Sequence, residues 1–183
     1  MQDRPIALLC ALALLGAAAI ASEQTVWWLS ETYKPSKRAI EGLPVQELDV
    51  TWRKVLPLTK AKLSGEAKRY LKTVSYGVHF SLDGEFNGDT QADRALVGVY
   101  ERVSGEQGRF VLILTRTSPR TWKKAFLAQH EGKPGFSYIT FEGGKLGWLS
   151  CFECDAEERI SWSQEKGYQL EVPEAEEESP AEK

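Results

Sequence analysis

The chain has 183 residues, with 23 Lys and Arg against 26 Asp and Glu and a formal net charge of −3. No segment gathers Lys and Arg into a stripe, which argues against nucleic acid as a partner. One domain is expected at this length, with a core large enough to hold without covalent staples.

Residues 1–21 read as a cleaved signal peptide. Arg4 gives a weakly basic start, and Ile6 to Ile20 is an unbroken run of Ala, Leu, Ile, Gly and Cys. The run ends in Ala19-Ile20-Ala21, with small residues at the two positions a signal peptidase reads. At about 15 residues it falls short of the roughly 20 a helix needs to cross a bilayer. No second apolar stretch follows, so the mature chain is expected to have no transmembrane span. The rival readings are a membrane anchor and a lipoprotein built on Cys10. Localisation is therefore expected to be exported, periplasmic or secreted. The alanine-rich leader suits a bacterial protein.

The mature domain is expected over 22–172. Trp27 and Trp28 form an apolar patch that should pack on the domain. Pro35, Pro44 and Pro57 punctuate the segment to Leu58 and disfavour long regular elements. Ser64 to Thr73 carries the helix signal, with Ser64 as cap, Glu66 in the first turn, and Lys68, Arg69 and Lys72 toward the end.

From Val74 the hydrophobic period is two. Val74, Tyr76, Val78, Phe80 and Leu82 alternate with polar or small residues, the pattern of a half-buried strand. Ala95–Tyr100 and Phe110–Leu114 are apolar on both faces and read as central strands. Weaker strands follow at 121–127, 136–141, 145–150, 159–162 and 168–172. Gly143-Gly144 suits a two-residue hairpin turn, and Gly105 and Gly108 bracket another. The expected fold is mainly β, an antiparallel meander forming a sandwich or open barrel, with one short N-terminal helix. Residues 173–183 hold five glutamates and almost no bulky apolar side chain, and are expected to form an acidic disordered tail.

Two motifs carry chemistry. In Asp83-Gly84-Glu85-Phe86-Asn87-Gly88-Asp89-Thr90-Gln91-Ala92-Asp93, oxygen-bearing side chains stand at alternating positions between two strands. Calcium takes six to eight oxygen ligands, which such a loop can aim at one point. The segment resembles the calcium loops of FG-GAP repeats, the blades of integrin-like propellers. It does so through Glu85-Phe86-Asn87-Gly88-Asp89 and Asp93, leading into Ala95-Leu96-Val97. The resemblance implies Glu85, Asn87, Asp89 and Asp93 as side-chain ligands of a structural calcium, with Gln91 giving its carbonyl. Glu85 stands where the pattern has Asp, and Thr90 where it has Gly. A β-branched residue is costly at positive φ. The motif occurs once, so no propeller is implied. The other reading is a polar turn built on Asn87-Gly88, with Asp89 and Asp93 accepting from backbone amides.

Cys151-Phe152-Glu153-Cys154 holds the only cysteines left after cleavage. In an oxidising compartment they should form a structural disulfide. The alternative, an envelope thiol–disulfide protein, needs a helix N-terminus to stabilise a thiolate. Here the pair lies between two expected strands, beside Asp155, Glu157 and Glu158, whose charges disfavour a thiolate. A zinc site would need two further ligands, and His79 and His130 belong to no spacing motif.

No nucleophile–base set is visible. Trp122, Trp148 and Trp162 are expected to face the core, and Trp52 to be freer. The expected function is an exported, non-enzymatic, β-rich module that recognises a protein or envelope component. A hydrolase without a recognisable motif is the further alternative.

Overall fold

Alternation along two neighbouring strands explains the layering. On β5 (Asp93–Arg102) and β6 (Gln107–Ser118), Ala95, Val97, Val99, Val111 and Ile113 face one core. Leu96, Tyr100, Phe110, Leu112 and Leu114 face a second core on the opposite side. Both faces are apolar because both are covered. Residues 26–74, 76–154 and 157–172 are described by this computed structural model. The leader at 1–21 and the acidic tail at 173–183 lie outside the described residues.

The large sheet is antiparallel and five-stranded. β5 pairs along its length with β6, which pairs with β7 (Thr121–Glu131). The other edge of β5 is shared end to end: β4 (Ser81–Gly84) takes Asp93–Leu96, and β3 (Trp52–Pro57) takes Gly98–Arg102. Gly98 is required at this junction. A Cβ there would stand 2.5 Å from the Phe110 ring and 2.6 Å from the Leu56 carbonyl oxygen. β7 skips Ala125 in its pairing with β6, a bulge opposite Ile113 and Leu114.

The small sheet runs β11-β10-β9-β8 (Gly167–Glu171, Glu158–Ser163, Lys145–Leu149 and Tyr138–Glu142). β8 and β9 are joined by Gly143-Gly144 at φ 58° and 78°, the left-handed pair a tight hairpin demands. Ile139, Leu146, Trp148 and Ile160 of this sheet close the first core against β5 and β6. β11 approaches β7 without pairing to it, so the sandwich does not close into a barrel.

Three short helices are described where one was expected. α1 (Trp27–Ser30) buries Trp27 and Trp28 in the first core. α3 (Gly65–Tyr70) is the expected helix, ending sooner; the Ser64 hydroxyl accepts from the Ala67 amide at 3.2 Å. The third, α2 (Val45–Leu48), follows the ribbon β1 (Ala39–Ile40) and β2 (Leu43–Pro44), and brings Val45 and Leu48 to the second core. Elements of two to six residues suit a proline-punctuated segment, yet six of them suffice for the edge strand β3.

The strand expected over 74–82 is reduced to β4. Its period is kept, with Phe80 buried and Val78 and Leu82 packed on the core, while Tyr76 is 48 % exposed. The segment serves two sheets in turn, which breaks it as one strand. His79 exchanges both backbone hydrogen bonds with Ile139 of β8, and the Phe80 carbonyl accepts from Val97 of β5. Two tryptophans reverse expectation. Trp52 is fully buried, stacked on Tyr100 at 5.0 Å with its indole N–H donating to Gln129. Trp162 is 41 % exposed: it shares a face of β10 with Ile160 but lies outside the buried core, packed edge-on against Tyr168.

Candidate functional site

Asp93 opens β5 and is fully buried. One carboxylate oxygen accepts from the Thr115 hydroxyl at 2.5 Å, the other from the Phe86 amide and the Tyr168 hydroxyl, both at 3.0 Å. The other loop oxygens are engaged within the loop. Asp89 accepts from the Gln91 amide at 2.8 Å and from Asn87, the Asn87 side-chain oxygen accepts from the Asp89 amide, and Glu85 accepts from the Gly88 amide. Asp83 lies outside this set and pairs with Arg94 at 2.6 Å, which holds its carboxyl below the usual range. Thr90 does adopt the left-handed conformation, at φ 65°. This is the polar-turn arrangement, with Asp89 and Asp93 holding backbone amides. Among the described residues no three His, Cys, Asp or Glu side chains converge as a metal cage. Three donors of the fold occupy the Asp93 carboxylate, and a cation at this loop would compete with them.

Cys151 and Cys154 form a disulfide with Cα atoms 5.7 Å apart, in the turn between β9 and β10. Cys151 is buried, and its carbonyl accepts from the Tyr138 hydroxyl at 3.1 Å. The bridge frames Phe152, which stacks on Tyr138 at 4.8 Å and meets Trp27, Trp28, Tyr70 and Phe136 at 5.0–5.7 Å. Such contacts add about 0.5–1.5 kcal/mol each beyond area burial.

A solvent-open cleft of about 380 Å³ lies over this aromatic cluster, between α1 and α3. Trp27, Trp28 and Tyr70 give it an apolar floor; Glu66, Arg69 and Glu153 give it a charged rim. Burial, and then the nearby Glu153 carboxylate, push the Tyr70 phenol up. The Glu31 carboxylate accepts from the Ser64 amide at 3.2 Å and ties the end of α1 to the start of α3. Glu153 reaches the rim because the disulfide turn carries it there.

No family model, curated protein or solved structure matches this chain. Its chemistry has to be read from the clefts themselves. A second cleft, also about 380 Å³, opens at one end of the sandwich and is lined by Arg109, His130, Trp148, Ser150 and Glu158. His130 is on strand β7, which runs past the end expected at 127. Its Nε2 sits 2.7 and 2.8 Å from the two oxygens of Glu158, and its ring stacks on Trp148 at 4.7 Å. Ser150 makes no hydrogen bond to His130 among the described residues, so no nucleophile–base contact is formed. Sequence reading missed both clefts. The only local signals were the adjacent Trp27-Trp28 and a histidine at the end of an apolar run.

Proposed function

We propose that the protein is an exported, non-enzymatic binding module, periplasmic or secreted, whose recognition site is the cleft between α1 and α3. Its ligand is an extended segment of a protein or envelope component that presents an apolar or aromatic side chain flanked by charge. The carrying observation is the aromatic floor of Trp27, Trp28 and Tyr70 under the rim of Glu66, Arg69 and Glu153. A pocket of several hundred Å³ with an apolar lining and a few placed polar groups is the usual form of a ligand site. The leader sequence and the Cys151–Cys154 bridge support placement outside the cytoplasm.

Selection from a displayed random-peptide library tests this reading. The wild type should enrich peptides sharing one apolar or aromatic anchor next to a charge. Thr73→Arg, which projects a long side chain from the cleft lining, should lose that enrichment while melting like the wild type. Equal enrichment on both proteins, or none on either, would sink the proposal.

A further inference from the structure

At the open end of the sandwich, four strands each contribute one inward-facing side chain. Arg109 of β6 and His130 of β7 are cross-strand partners, as are Trp148 of β9 and Glu158 of β10. Arg109 shares a face with Val111 and Ile113, and His130 with Ala128, all packed in the first core. The core would continue here with apolar residues; a guanidinium, an imidazole and a carboxylate stand there instead, around an open space of about 380 Å³.

The charges in this space are unevenly matched. Both oxygens of Glu158 are taken by His130. Glu131, at the edge, pairs with Arg102. Arg109 has no salt bridge among the described residues, and one hydrogen bond, from Nη1 to the Phe136 carbonyl at 3.4 Å. Burial disfavours its charge, and Glu158 is near enough to offset part of that without touching it. The buried Trp148 indole N–H in the same wall also has no acceptor among the described residues. A partly desolvated cation with free donors calls for an anion. The planar guanidinium fork matches a carboxylate through two parallel hydrogen bonds.

We propose that this end of the sandwich is a binding site for a small organic carboxylate, with Arg109 as its receptor, beside the His130–Glu158 pair. The site is separate from the α1–α3 cleft, so either can fail without the other.

The test is an NMR titration with sodium acetate, sodium succinate and sodium phosphate against sodium chloride at matched ionic strength, following amide and indole cross-peaks. Saturable shifts are expected at the Trp148 indole and at the Arg109 and His130 amides. Arg109→Lys keeps the charge without the fork and should raise the dissociation constant about tenfold. Arg109→Gln should abolish saturation. Arg53→Gln, at the half-exposed partner of Glu101 and outside this lining, should titrate like the wild type. If Arg109→Gln does not fold, the Arg109→Lys comparison decides. Shifts that follow ionic strength alone, equal affinity in Arg109→Lys, or saturation by inorganic phosphate but by neither carboxylate would overturn the assignment.

Discussion

The Tyr168 hydroxyl donates to the Asp93 carboxylate at 3.0 Å, and so ties β11 at the rim of the small sheet to the first residue of β5 at the centre of the large one. Thr115 and the Phe86 amide complete the set around the same carboxylate. Asp93→Ala would leave three donors without an acceptor, one of them a buried hydroxyl. It is expected to cost about 3 kcal/mol, and Tyr168→Phe about 1 kcal/mol. Urea denaturation of the two variants checks the order. A larger loss from Tyr168→Phe would mean that the ring, and not the hydrogen bond, carries the contact.

The same occupancy bears on metal binding. Calcium would compete with Thr115, Tyr168 and Phe86 for Asp93 and with Gln91 for Asp89. Melting in millimolar calcium and in chelator should therefore give the same midpoint. Binding at one hundred times the dissociation constant would add about 2.7 kcal/mol, or several degrees for a domain of this size. A shift of that size, abolished by Asp89→Ala and not by Asp83→Ala, would restore the FG-GAP-like reading.

Alkaline pH should unfold the protein from within. Burial first, and the charge and hydrogen bond of Asp93 second, push the Tyr168 phenol far above its ordinary value of about 10. Burial does the same to Tyr33 and Tyr138. A raised pKa means that the folded state holds the proton more tightly than the unfolded chain. The stabilisation is then complete below about pH 10 and declines as pH rises above it. Phenolate absorbance should lag behind a free tyrosine curve and rise together with the loss of circular dichroism. A simple titration near pH 10 with the fold intact would contradict this.

The disulfide closes a four-residue turn, and its entropic contribution is about 2 kcal/mol in the chain-entropy picture. The ring it frames should matter more. Phe152→Ala is expected to cost about 3 kcal/mol. Replacing both Cys151 and Cys154 by Ser should cost less, with the aromatic near-ultraviolet dichroism retained. Loss of that signal in the serine variant alone would show that the bridge, and not the ring packing, orders the cluster.

What the sequence made legible is local. Period-two apolar runs marked β5 and β6, Gly143-Gly144 marked the β8–β9 turn, and Ser64 marked the start of α3. What it hid depends on distant pairs. Trp52 looked free because its burial comes from Tyr100, Phe110 and Gln129, far along the chain. His130 and Glu158 meet only because two sheets face each other, and neither residue's neighbours announce it. The 83–93 segment has an oxygen pattern that suits a cation or its own amides equally well. The inward turn of Asp93, set by Thr115 and Tyr168 far along the chain, is not written in that pattern.

The outer edge of the large sheet is β7, eleven residues long, with no strand paired to its side away from β6 among the described residues. A long open edge is a template on which a second chain can add itself. Here the bulge at Ala125 interrupts the row of free backbone groups, and Lys123 and Lys124 set positive charge beside it. Two copies meeting edge to edge would bring those lysines together. The departure from a regular ladder thus guards the protein against its own polymerisation.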